Sequence, residues 1–264
     1  MTDKTRDVNN MSGRTTSRSV ALAMLASLVA LALSGKADAQ PPAQRPAQTP
    51  QAAATVDLTG DWVSVVTGDW KFRMVTPNKG VFEGLPLNAE GRRIGNAWDP
   101  KQDAANGEQC RAYGAGNIMR VPGRLRIKWE SSDTLRIDTD AGTQTRLLKF
   151  GPPAKPGEPS WQGSTHAEWH RPADPAAAKT GGSLKAVTTA LKPGYLRSNG
   201  APYSDATTLT EYYERQTAPN GDSWLIVTQI VKDPKYLSRP YVTSANFKKI
   251  RDGEGWNPTP CGAN

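Results

Sequence analysis

The segment Ser164-Thr165-His166-Ala167-Glu168-Trp169-His170 holds both histidines of the chain and a carboxylate at alternating positions. Alternate residues of a β-strand share a face, so His166, Glu168 and His170 would point the same way. Two imidazoles and a carboxylate form the ligand set of several catalytic metal sites. The spacing argues against one here. Same-face neighbours on a strand stand about 6.5–7 Å apart, which separates the two histidines by about 13 Å, whereas a single metal needs each ligand within about 2.1 Å. The segment therefore reads as a polar outer strand face, with no metal and no cofactor expected. Gly163-Ser164 lacks the flanking pattern of a nucleophile elbow, and neither a phosphate loop nor a dinucleotide fingerprint occurs. Asp138, Asp140 and Glu211 supply carboxylates for glycosidase-type chemistry, but the sequence places no cleft between them. Asp138 already has Arg136 and Arg146 as partners for a structural role.

Aromatic residues carry the alternative to catalysis. Trp129, Trp161 and Trp169 fall on predicted strands, with Tyr113 and Tyr203 on neighbouring connections. Lining the mouth of a barrel, these five would suit an amphipathic or apolar guest. They are the candidate ligand-binding residues.

The elements that must position them are strands. Arg124 to Glu130 alternates, with Leu125, Ile127 and Trp129 on one face and Arg124, Arg126, Lys128 and Glu130 on the other. Ser131-Ser132-Asp133 reads as a turn, followed by Leu135, Ile137 and Thr139 facing inward. Asp140-Ala141-Gly142 suggests a three-residue hairpin loop with Gly142 left-handed. That register would set Leu135 opposite Leu147, Ile137 opposite Thr145 and Arg136 opposite Arg146. Further strands are expected at 58–66, 70–76, 160–170, 184–191, 208–216, 223–232 and 241–250. One short helix is expected over 89–98, capped by Asn88 and weakened by Gly91 and Gly95. The fold class is all-β: an antiparallel up-and-down barrel or a barrel-like sandwich of about ten strands with one short helix. Thr-Gly-Asp-Trp occurs twice, at 59–62 and 67–70, too short an echo for a repeat architecture.

The chain has 264 residues, a net charge of +8 and 37% hydrophobic residues, which excludes a polytopic membrane protein. Lys4, Arg6, Arg14 and Arg18 precede an apolar run from Val20 to Leu33 and a small-x-small site at Ala37-Asp38-Ala39, the pattern of a signal peptide over 1–39. Met11 is an alternative start. Residues 40–54 are rich in Pro, Ala and Gln and read as a disordered linker, leaving 55–264 as a single domain. A periplasmic or secreted protein follows, with no transmembrane segment after cleavage. The basic balance then reads as a solvated surface rather than a nucleic-acid interface. Cys110 and Cys261 are the only cysteines. In an exported chain this even count favours a disulfide between them, with two free thiols as the alternative.

Gly60-Asp61-Trp62 at the start of the first strand resembles the Gly-x-Trp of lipocalins, where the Trp closes one end of the barrel. A second resemblance spans 110–250. Its carriers are Cys110-Arg111-Ala112-Tyr113-Gly114, Ile118-Met119-Arg120-Val121-Pro122, Pro159-Ser160-Trp161-Gln162-Gly163-Ser164, Trp169, Gly200-Ala201-Pro202-Tyr203-Ser204 and Asp233-Pro234-Lys235-Tyr236. These are similar to a large uncharacterised family of exported bacterial β-rich proteins. The resemblance implies a shared exported domain and no particular activity. Where that pattern often has a histidine, this chain has Ser164 and Tyr203, so no histidine-dependent role carries over.

The leading reading is an exported protein that binds a small amphipathic or apolar ligand in a β-barrel. The alternatives are a hydrolase- or isomerase-type enzyme using carboxylates or His166 and His170, and an envelope-associated protein with a partner in the envelope.

Overall fold

The computed structural model describes residues 48–152, 155, 157–174 and 181–262. The expected signal segment and residues 40–47 lie outside them.

Nine strands close into a barrel: β1 (Gly60–Val65), β2 (Arg124–Ser131), β3 (Thr134–Thr139), β4 (Gln144–Phe150), β5 (Ser164–His170), β6 (Ser183–Thr189), β9 (Thr208–Thr217), β10 (Ser223–Lys232) and β11 (Tyr241–Ile250). β7 (Gly194–Arg197) and β8 (Ala201–Tyr203) form a separate hairpin. Closure removes both sheet edges and decides for a barrel over a sandwich. Every barrel pairing is antiparallel except β4 with β5, which is parallel. The barrel is thus mixed rather than wholly up-and-down. A parallel neighbour requires a crossover, and it falls in the chain between Phe150 and Ser164.

The pairing of β3 with β4 corrects the expected register by one residue. The connection runs over 140–143, with Gly142 at φ 72° and Thr143 at φ 47°, both left-handed. Leu135 consequently faces Leu148, Ile137 faces Arg146, and Arg136 faces Leu147. Because side chains alternate across a strand, the slip turns Arg146 into the barrel. The expected strand over 70–76 is instead a one-turn helix, α1 (Trp70–Arg73). No strand could form there by pairing with β1, whose two neighbours are β2 and β11. α2 (Ala89–Asn96) matches the expected helix, and the Asn88 side chain accepts from the Gly91 N–H as predicted. Gly91 proves to be a packing requirement: a Cβ there would stand 2.5 Å from the Tyr236 carbonyl oxygen. A third short helix, α3, covers Pro100–Ala105.

The two ends of the barrel differ. The long insertion between β1 and β2, residues 66–123, and the β7–β8 insertion between β6 and β9 both emerge at one end and cap it. Phe82, Leu85, Leu87, Leu191, Leu196, Tyr203, Leu237 and Tyr241 form the core of this cap. The barrel interior is packed by Trp62, Ile127, Ile137, Leu148, Leu184, Tyr213, Val227 and Phe247. Residues 49–58 cross the opposite end. Expected within a disordered linker, residues 49–54 are instead held there: Gln51 N–H donates to Ser132 O at 3.0 Å, and Trp169 Nε1–H donates to Pro50 O at 2.7 Å.

The C-terminal tail runs back along the outside of the barrel to the capped end. Thr259 N–H donates to Asp140 O at 2.9 Å, and Cys261 is joined to Cys110 as a disulfide. The expected pairing is present, and it ties the tail to the insertion that builds the cap. Among the described residues, no helix is long and apolar enough to cross a membrane.

Candidate functional site

A cleft of about 560 Å³ opens at the capped end. Three arginines line it, each delivered by a different element: Arg73 by α1, Arg120 by a 3₁₀ turn over Ile118–Arg120, and Arg197 by the end of β7. Phe72, Trp98, Met74 and Val75 contribute apolar wall, and Lys79 a further cation.

Each guanidinium is held differently. Arg120 is 4% exposed. It donates to Thr243 Oγ1 and, at 2.9 Å, to the Asp69 carboxylate. Asp69 sits at the start of α1 with φ 53° and makes no side-chain cap bond, so its carboxylate turns to Arg120. Arg197 is also 4% exposed. Its two terminal nitrogens donate to Val81 O at 3.1 Å and Glu83 O at 2.9 Å, and its plane lies 4.0 Å from the Phe72 ring centroid. Its Nε–H has no partner. Arg73 donates through Nε to Arg120 O at 2.8 Å, and its Nη2 has no partner. Burial and then the Arg120 charge push the Arg73 guanidinium down to about 10. Burial also lowers Arg197. Three guanidiniums thus share one nearby ion-paired carboxylate, Asp69, in a partly dry site.

Trp98 is fixed by its own network. Its Nε1–H donates to the Asp103 carboxylate at 3.2 Å. That carboxylate also accepts from Arg111 at 3.0 Å and from the Tyr195 hydroxyl at 2.6 Å. Trp98 stands edge-on to the Tyr195 ring, at 6.5 Å and 79°.

A second hollow, about 390 Å³, lies at the opposite end beneath residues 51–59. Trp129, Leu135 and Trp169 form its floor. Trp129 and Trp169 stack with Phe150 at 5.6 and 5.3 Å.

The five expected ligand residues therefore do not converge. Trp129 and Trp169 meet at one end, while Tyr113 and Tyr203 are buried in the capped half. Tyr113 borders a small pocket of about 30 Å³, with Trp98 and Tyr195. Trp161 lies beneath Lys192, its ring centroid 5.6 Å from the ammonium, and its carbonyl accepts from Ala115 N–H.

The catalytic alternatives also separate. His166, Glu168 and His170 do share a strand face. Glu168 is taken up by Lys185 at 2.7 Å, and His170 stands edge-on to Tyr212. Among the described residues, no group of three His, Cys, Asp or Glu side chains is placed to hold a metal. Asp138 accepts from Arg136 at 2.9 Å, but its second expected partner, Arg146, points inward. There Arg146 grips Glu211 through both terminal nitrogens, at 2.9 and 2.5 Å. Gln229 also donates to Glu211 at 3.0 Å, and Arg146 reaches the Tyr213 hydroxyl at 3.2 Å. Burial alone would lower Arg146, but the Glu211 carboxylate outweighs it and the guanidinium is raised. This ion pair is sealed from solvent on both sides.

Sequence reasoning missed the arginine cleft. Its three arginines lie far apart in the chain and on irregular elements, where no periodicity brings them together. Comparison with known proteins adds no analogy: no family model, no curated protein and no solved structure matches the chain.

Proposed function

We propose that this is an exported small-molecule-binding protein whose ligand sits in the arginine-lined cleft at the capped end, not in the barrel interior. The ligand is a small amphipathic anion. One observation carries this reading: three guanidiniums from three separate elements line one cleft with a single ion-paired carboxylate among them. Buried cations are normally matched by anions. The apolar wall of Phe72, Trp98, Met74 and Val75 suits the rest of such a molecule. The interior of the barrel is already occupied by side chains, including the Arg146–Glu211 pair. The disulfide and the apolar run at 20–33 support export.

The test is a fluorescence titration with anilinonaphthalene sulfonate, an anionic amphipathic probe. The folded protein should bind one equivalent saturably, and Arg73→Gln should weaken binding at least tenfold. An absence of saturable binding, or an unaltered affinity in the variant, would overturn the reading.

A further inference from the structure

Resting on that reading of the cleft, we infer that the polar end of the ligand is a tetrahedral oxyanion, specifically the phosphate of a small aryl or alkyl monoester.

The donors left in the cleft distinguish one oxyanion from another. Arginine recognises a planar carboxylate best through a fork of two parallel N–H groups. Here Arg197 and Arg120 have their forks spent. Arg197 uses both terminal nitrogens on the carbonyls of Val81 and Glu83, and its Nε–H has no partner. Arg73 uses Nε on the Arg120 carbonyl, which removes its side-on fork and leaves its two terminal nitrogens as an end-on fork. Arg120 is anchored to Asp69 and Thr243. The cleft therefore offers one end-on pair, on Arg73, together with cations held by two other elements. Such an arrangement suits an acceptor whose oxygens spread in several directions.

Charge points the same way. The groups facing the cleft are Arg73, Lys79, Arg120 and Arg197, with Asp69 paired to Arg120. Glu83 reaches the Arg197 guanidinium only as a distant charge and is itself paired with Lys71. A dianion matches the remaining excess of cations better than a monoanion does. A phosphate monoester is a dianion above its second pKa of about 6. Phe72 and Trp98 offer flat apolar surface for an attached ring.

The probes are phenyl phosphate, phenyl sulfate, benzoate and inorganic phosphate, measured by calorimetry on the folded protein and by displacement of anilinonaphthalene sulfonate. Phenyl phosphate should bind at least tenfold more tightly than benzoate, phenyl sulfate or inorganic phosphate near pH 7.5. Its lead over phenyl sulfate should shrink several-fold as pH falls through about 6 and the second phosphate charge is lost. Arg73→Gln should weaken phenyl phosphate at least tenfold. Lys79→Gln, at an exposed position that cannot threaten folding, should weaken it about threefold by loss of one nearby charge. Equal or tighter binding of benzoate, or of inorganic phosphate, would overturn the inference. So would co-sedimentation with phosphatidic acid vesicles by a protein that ignores soluble phenyl phosphate. If the fluorescent probe binds in the cleft and phenyl phosphate fails to displace it, the phosphate assignment falls while the binding function stands. If neither binds, both fall.

Discussion

Two sets of arginines occupy this molecule, and they are treated in opposite ways. Arg146 lies sealed inside the barrel, where Glu211 meets its fork, Tyr213 and Thr188 add acceptors, and Gln229 braces the carboxylate. Arg73, Arg120 and Arg197 share a cleft with Asp69 as their one ion-paired carboxylate; counter-charge and not unmet donors separates the two sets, since Arg146 Nε, like Arg73 Nη2 and Arg197 Nε, has no partner. A buried charge met by its counter-charge is architecture. A group of part-buried charges left short of counter-charge is a place where something else can bind.

The comparison breaks most visibly in stability. Removing one partner of a sealed ion pair leaves the other charge uncompensated, which costs about 3–5 kcal/mol. Arg146→Met should therefore unfold at markedly lower denaturant, and adding Glu211→Leu should restore much of the loss. Arg73→Gln removes a guanidinium that Arg120 already repels, so its stability should stay within about 1 kcal/mol of the parent. Chemical denaturation of the three variants checks this. If Arg73→Gln is as damaging as Arg146→Met, the cleft arginines are structural too.

A smaller, pH-dependent effect sharpens the same contrast at a half-buried pair, Asp61 with Arg126. Asp61 accepts the Arg126 fork at 3.0 and 2.9 Å and the Gly253 N–H at 2.7 Å. The Arg126 hydrogen bond, then the Gly253 N–H, hold its carboxyl below the usual range against the opposing effect of burial. A depressed carboxylate contributes stability that is fully present above the unfolded value of about 3.9 and is lost as pH falls through the folded value. Asp61→Asn should cost about 1–2 kcal/mol at neutral pH and flatten the acid limb of the stability curve. An unchanged acid limb would remove Asp61 from the account.

Much of the scaffold was legible because strands obey a period of two. β2, β3, β9, β10 and β11 appear within a residue or two of where alternation puts them. The β3–β4 register was not legible, since a single extra residue in the turn reverses every side chain and hid Arg146 as a surface residue. The two Thr-Gly-Asp-Trp copies show the same limit from another side. In the first, Trp62 is fully buried and Asp61 pairs with Arg126; in the second, Trp70 is 67% exposed and Asp69 pairs with Arg120. Identical tetrapeptides take different structures because one enters the barrel between β2 and β11 and the other begins α1 in the cap. The cleft depends on that cap, whose short elements carry little periodic signal. The aromatics singled out in the sequence were sorted by residue type alone, which does not separate core packing from a binding surface.

The most direct measurement follows the tryptophan indole N–H resonances during titration with anilinonaphthalene sulfonate, assigned by single Trp→Phe variants. The Trp98 resonance, at the cleft, should move saturably while those of Trp62, Trp129 and Trp169 stay in place. Movement of Trp129 and Trp169 with Trp98 unmoved would place the ligand at the opposite end of the barrel and contradict the account.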